Sequence, residues 1–209
     1  MNVVASLAGK RDKSAKQDVI VMIAKDIFLR EGFSATSMAT IAARVGGSKA
    51  TLYNYFPSKE QLFEAVVREF CERNAEVFGS LNWDGDDFRT ALSRFGRDIA
   101  TVMISDDVIA MHRLIVAEAS RFKEIGEAYY QAGMKRGKEK LYARFEAAMD
   151  AGYIRRTDPF MAAQHFFDLC VGGLHRRRLM NIGADPTRAE LEAHVDAAVD
   201  AFLNGYGAR

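Results

Sequence analysis

Lys49, Thr51, Tyr53 and Asn54 place an ammonium, a hydroxyl, a phenol and a carboxamide on one side of a short segment. Leu52 and Phe56, one helical turn apart, mark its other side. Such groups hydrogen-bond to phosphate oxygens and base edges, whereas an ordinary surface helix carries Glu and Lys pairs. Lys49 is placed to reach a base edge or a phosphate, and the Asn54 carboxamide suits adenine. Thr51, Tyr53 and the backbone N–H groups near Ser37 and Ser58 suit phosphates, which fix position without reading sequence. Lys59 is expected to add a phosphate contact, felt equally on all DNA sequences. Tyr53 has a second reading as a core aromatic, and Tyr55 is open to both.

These side chains need two helices and a turn to present them. Met38, Ile41, Ala42 and Val45 recur at i, i+3, i+4 and i+7, gathering one apolar stripe on a first short helix. Gly46 and Gly47 interrupt it where a tight turn calls for positive φ. Ser48 is a cap for the second helix, Pro57 ends it, and Ser58-Lys59-Glu60-Gln61 opens the next with a capping box. The pattern is a helix-turn-helix, although any two amphipathic helices of an all-α protein share its periodicity.

The residue string narrows the choice. GFSATSMATIAARVGGSKATLYNYFPSKEQLFEAVV, beginning at Gly32, resembles the N-terminal DNA-binding domain of the TetR/AcrR family of bacterial transcriptional regulators. The resemblance implies that Gly32 and Phe33 close the first helix, that Thr36 or Ser37 starts the second, and that Ile41 and Ala42 pack the motif. It places Tyr53 and Phe56 in the recognition helix and has Lys59 and Leu62 open the fourth helix. The DNA-contacting set is then Thr36, Ser37, Ser48, Lys49, Ala50, Thr51, Tyr53, Asn54, Tyr55 and Lys59. Two positions depart from the family pattern: Gly47 stands where Val is frequent, and Ala50 where Gly is frequent. Ala50 favours the helix, since Gly costs about 0.8 to 1 kcal/mol more inside one.

Charge is distributed accordingly. The whole chain is net +1, but through Lys59 it carries nine Lys and Arg against four acids, a net of +5; the remaining 20 basic and 24 acidic residues give −4. A basic head on a slightly acidic body suits attraction to phosphate at one end. Residues 1–13 are read as a flexible arm, 14–60 as the DNA-binding domain and 61–209 as a ligand-binding and dimerisation domain. No apolar run approaches the roughly 18 to 20 residues that span a bilayer, and no signal-peptide segment is visible, so a cytoplasmic protein is expected. Cys71 and Cys170 lie far apart in sequence, which disfavours a disulfide framework. His112, His165, His175 and His194 lack zinc spacing, and neither a Glu-x-x-His pair, a Gly-x-Ser-x-Gly elbow nor a phosphate-cradling glycine loop occurs. Neither an enzyme, a metal nor a cofactor is therefore expected.

Beyond the head the pattern is helical throughout, with about nine helices in all and no strand alternation. Helices are expected at Ser14–Glu31, from Ser58 through Val77, from Phe88 to Val102 and from Val108 to Ala119. One long helix should span Glu124–Ala151, followed by two more opened by Asp158-Pro159 and Thr187-Arg188-Ala189-Glu190, with a loop over Asn82–Asp87. RLIVAEASRFKEIGEAYYQAG, from Arg113 to Gly133, resembles one branch of TetR C-terminal domains, the AefR-like one. Lys123 there replaces a frequent Pro.

The helix after Pro159 is apolar on more than one face and needs cover on both sides. Phe167, Cys170, Val171 and Leu174 on it, with Leu191, Val195, Val199 and Phe202 on the last helix, are expected to meet their symmetry mates in a four-helix interface, as the resemblance implies. The alternative is a core helix of a monomer, which looks the same in sequence. Two-fold symmetry would place paired recognition helices in successive major grooves of an inverted-repeat operator on double-stranded DNA.

Met103, Met111, Phe122, Met134, Phe145, Met149 and Phe166, with His112 and Gln164 as polar groups, either line an apolar effector cavity or fill ordinary core. In the first case a small, largely apolar effector shifts the fourth helix and separates the recognition helices, relieving repression. The rival readings are a redox sensor using Cys71 or Cys170, or a DNA-binding protein without an effector.

Overall fold

The computed structural model describes residues 3–84 and 87–208, the side chains of 3–13 and 134 excepted. Met1 and Asn2 of the expected arm, and residues 85–86 of the expected loop, lie outside the described residues. The helices are α1 (Val3–Glu31), α2 (Met38–Val45), α3 (Lys49–Tyr55), α4 (Lys59–Asn74), α5 (Phe88–Met103) and α6 (Asp106–Glu118), then α7 (Lys123–Tyr129), α8 (Lys135–Asp150), α9 (Pro159–Leu179) and α10 (Arg188–Tyr206). No strand occurs among the described residues; Ile154 and Gly207 form one isolated antiparallel bridge. Among the described residues no helix is long and apolar enough to cross a membrane.

Most helix starts follow from local chemistry. Ser37, Ser48, Asp87, Asp158 and Thr187 each accept a backbone N–H of the first turn of the helix they precede. Thr187 and Glu190 complete a reciprocal capping box, and Pro159 occupies the first turn of α9, where its missing N–H costs nothing. Three expectations change. The helix expected through Val77 ends at Asn74, and Val77 falls in a separate short 3-10 turn over Glu76–Gly79. α1 begins at Val3, within the segment expected as an arm. The single long helix expected from Glu124 is interrupted by a π-helical turn over Tyr130–Met134, which separates α7 from α8; Lys123, in place of Pro, is the first residue of α7.

The chain forms two compact units. One holds the described residues up to Cys71 together with Leu114–Tyr130; the other holds Glu72–Arg113 and the chain from Gln131 onward. The first unit therefore takes in more than the 14–60 span expected for the head. Its core is an aromatic cluster: Phe28, Phe33 and Phe63 lie 5.2 to 5.7 Å apart by ring centroid, and Phe122 meets Phe33 edge-on at 5.0 Å.

The second unit is a helical bundle of α5, α8, α9 and α10 around Phe95, Phe145, Phe166 and Phe202. Phe166 stacks on Phe95 and receives Phe202 edge-on at 5.2 Å. Gly96 lets α5 approach closely, for a Cβ there would stand 2.8 Å from Val195 Cγ1 and 3.0 Å from Cys170 Sγ. This packing corrects the expected dimer surface. Cys170, Val171, Leu174, Leu191, Val195, Val199 and Phe202 are already buried within the single chain, as parts of this one core. Half-buried Phe167 packs against Phe78 at 6.1 Å. A helix apolar on several faces needed cover, and α5, α8 and α10 of its own chain provide it.

Candidate nucleic-acid interface

The helix-turn-helix is built by caps at each end. Ser37 Oγ accepts the Thr40 N–H at 3.1 Å and starts α2. α2 ends in a Schellman motif: Gly47 N–H donates to Ala42 O at 3.2 Å and Gly46 N–H to Ala43 O at 3.3 Å. Gly46 has φ +77°, a left-handed conformation, whereas Gly47 does not have positive φ; one glycine suffices where two were expected. Ser48 Oγ then accepts the Thr51 N–H at 3.0 Å and starts α3. Met38, Ile41, Ala42, Leu52 and Phe56 are buried beneath, so α2 and α3 are held by a common apolar side.

With that side fixed, α3 turns its polar residues outward. Lys49, Ala50, Thr51, Tyr53 and Asn54 are exposed, along with the two capping serines, Ser37 and Ser48. Tyr53 is 40% exposed, unlike a core aromatic. The Lys49 ammonium lies 5.8 Å from the Tyr53 ring centroid, which keeps both on one face. Tyr55 is half-buried. The arrangement offers hydrogen-bond donors and acceptors on the exposed face of a short helix, a form suited to the major groove.

Two expected contact residues are engaged elsewhere. Thr36 is only 2% exposed, and its hydroxyl donates to Gly32 O at 2.7 Å; it holds the turn before α2 and does not reach outward. The Lys59 ammonium donates to Phe33 O at 2.7 Å and to Thr36 O at 3.0 Å, and lies 4.2 Å from the Phe33 ring centroid. Its charge serves the same turn. Glu118, which sequence reasoning missed, accepts the Ser34 N–H at 3.0 Å from the end of α6. Nothing local in its sequence announces a contact with a turn 84 residues away.

The residues considered for an effector fall in more than one place: Phe145, Met149 and Phe166 share the core of the second unit, with Met103 packed against it, whereas Phe122 lies in the first. Met111, Phe145 and Phe166 have no exposed surface, so none faces a void large enough for water, and Met149 is buried as well. Met103 packs half-buried against the core, and Gln164 is half-buried. Phe122 belongs to the first unit, on Phe33. The Met134 side chain lies outside the described residues. His112 Nδ1 is 2.6 Å from His175 Nε2 within the second unit. That unit also carries an open groove of about 1040 Å³ between α5 and α10, whose lining includes the Arg97–Asp196 pair at 2.7 Å and an Arg89–Asp200 pair. None of the residues considered for an effector lines it. No group of three or more His, Cys, Asp or Glu suited to a metal occurs among the described residues.

Comparison with known proteins agrees with this anatomy. Residues 20–66 match the family model described as "Bacterial regulatory proteins, tetR family", and residues 90–208 match "AefR-like transcriptional repressor, C-terminal domain". A crystal structure of a TetR-family transcriptional regulator from Mesorhizobium loti superposes with a TM-score of 0.85 at 30% identity, covering 93% of this chain and 98% of that one. The flavonoid-responsive regulator FrrA gives 0.83 at 32% identity, covering 94% and 99%. The HTH-type transcriptional regulator RutR of Escherichia coli strain K12 is 44% identical over 66 residues, a match that spans 31% of this chain and 31% of RutR. From its N-terminal motif through its C-terminal bundle, the chain belongs to the TetR family of DNA-binding transcriptional regulators.

Proposed function

We propose that this protein is a homodimeric, cytoplasmic repressor that binds an inverted-repeat operator through α3 and is released by a small, largely apolar effector. The observation that carries the DNA contact is the uncovered face of Lys49, Thr51, Tyr53 and Asn54 on a helix fixed by Ser48 and by the left-handed Gly46. Lys49 and Asn54 read base edges; Thr51, Tyr53, Ser37 and Ser48 contact the backbone.

The partner of the dimer is a second copy of this chain, on a face other than the one the sequence suggests. Met161 and Leu169 of α9 are each 40% exposed, and Ala193, Ala197 and Ala201 form an exposed row at successive turns of α10. His194 Nε2 lies 3.0 Å from Leu169 O, so the two helices adjoin there. Small residues on α10 allow close approach of a second pair of helices, with Leu169 as the apolar centre. The resulting two-fold axis would set the recognition helices about 34 Å apart.

Support for an effector comes from the relatives, among which FrrA is named for its response to flavonoids. The redox alternative has less in its favour. Cys170 is fully buried, its thiol pushed up to about 12 by burial, and Cys71 is buried; a reactive cysteine needs an accessible thiolate.

The test is a mobility-shift titration of the protein against a pool of random duplexes at 50 and 200 mM salt, with sedimentation of the free protein. The reading expects a dimer whose affinity falls steeply with salt and whose bound pool enriches one motif. A monomer that retains no duplex at the lower salt would refute it.

A further inference from the structure

We propose that Glu118 is a positioning residue for DNA binding: with Lys59 it grips the single peptide unit between Phe33 and Ser34, and this grip sets the pose of α2 and α3. The inference rests on the DNA-binding reading above.

The geometry is specific. The N–H of that peptide donates to Glu118 Oε1 at 3.0 Å, while its carbonyl oxygen accepts the Lys59 ammonium at 2.7 Å. One amide dipole is thus aligned between an anion from the end of α6 and a cation from the start of α4. Both bonds are charge-assisted, and each polarises the amide so as to strengthen the other. Glu118 is only 9% exposed, and a carboxylate held there must be compensated by its hydrogen bond. Thr36 and Glu118 are the two buried polar side chains among the described residues, and both bond to the turn running from Gly32 to Thr36. Gly32 has φ +82°, and a Cβ on it would stand 3.2 Å from Glu118 Oε1, so the carboxylate lies directly against the turn. Phe33 is locked among Phe28, Phe63 and Phe122. The next residue after Thr36 is Ser37, the cap of α2.

Such a grip makes the recognition unit answerable to α6. Glu118 is the last residue of that helix, so an event that shifts this end withdraws the carboxylate, frees the Ser34 N–H and weakens the hold of Lys59 on the same peptide. The start of α2 then loses its fixed position, and α3 with it, without any change in the groups that face DNA.

The test uses the full chain and a duplex selected on the wild-type protein. Affinity is measured for wild type, Glu118→Gln, Glu118→Ala, Lys59→Met and the Lys59→Met/Glu118→Ala double variant across a range of salt, with a melting curve for each. Glu118→Ala should weaken binding by about tenfold or more, and Glu118→Gln by less, because its amide oxygen still accepts the Ser34 N–H without the charge. The double variant should bind about as well as Lys59→Met alone, since the two groups act on one peptide. The salt slope should stay that of wild type, because no phosphate contact is removed. Wild-type affinity in both Glu118 variants, multiplicative losses in the double variant, or losses that merely track the melted fraction would each overturn the proposal. A wild type that enriches no duplex sinks the DNA-binding reading itself, and this inference with it.

Discussion

Nδ1 of His112 and Nε2 of His175 face each other at 2.6 Å, one imidazole donating and the other accepting, a pairing that requires an acceptor nitrogen without a proton. Burial, with the neighbouring His175, lowers the pKa of His112 from 6.5 to about 4. Burial, with Arg176, lowers that of His175 as well. The fold therefore refuses protons that the unfolded chain accepts. Stability should be full above pH 6.5 and fall as the pH drops toward 4, by on the order of 3 kcal/mol for His112 alone. Urea unfolding at pH 7, 5.5 and 4.5 should show this loss, and His112→Gln should flatten it. An equal slope in wild type and variant would show that other groups are responsible.

The turn between α2 and α3 separates its two glycines. Gly46→Ala forces a Cβ into a left-handed conformation and should cost about 1 kcal/mol. Gly47→Ala meets no heavy atom within 4 Å and keeps an ordinary φ, so it should be neutral or slightly stabilising. Melting temperatures of the two variants check this directly; equal losses would contradict the Schellman geometry.

Interface and core should respond differently. Leu169→Glu, on an exposed face, should leave the melting behaviour of the subunit intact while sedimentation reports a monomer with much weaker DNA binding. Phe202→Ala, inside the bundle, should cost about 3 to 5 kcal/mol of stability. A dimer that survives Leu169→Glu would place the contact elsewhere.

The close approach at Gly96 makes a prediction about both packing and reactivity. Gly96→Ala must push aside Val195 and Cys170 and should destabilise by about 1 to 3 kcal/mol. In the wild type, the Cys170 thiol is buried and held up to about 12, so iodoacetamide should modify it only when the chain unfolds. Rapid labelling of Cys170 in native buffer would reopen the redox reading.

The head was legible in the sequence because its determinants are local. Ser37 and Ser48 cap within three residues, and Gly46 supplies positive φ at its own position. The roles of Lys59 and Glu118 were not legible, since a charge in a sequence does not reveal whether it faces solvent or a distant carbonyl or amide. The helix from Pro159 gave a similar problem: periodicity showed that Cys170, Val171 and Leu174 are buried, but not that α5, α8 and α10 cover them instead of a partner. The π turn at Tyr130–Met134 interrupts a continuous helical pattern without a Pro or a capping signal of its own.

The proposed function has the outward face of α3 read a two-fold DNA site. The most direct measurement is sequencing of duplexes enriched from a random pool by wild type, Lys49→Ala and Asn54→Ala. The expected motif is an inverted repeat with half-site centres about 10 base pairs, or a multiple, apart. Each substitution should relax preference at a symmetrical pair of positions, about 1 to 3 kcal/mol per lost base contact. No enrichment by wild type, or identical motifs from all three proteins, would contradict it.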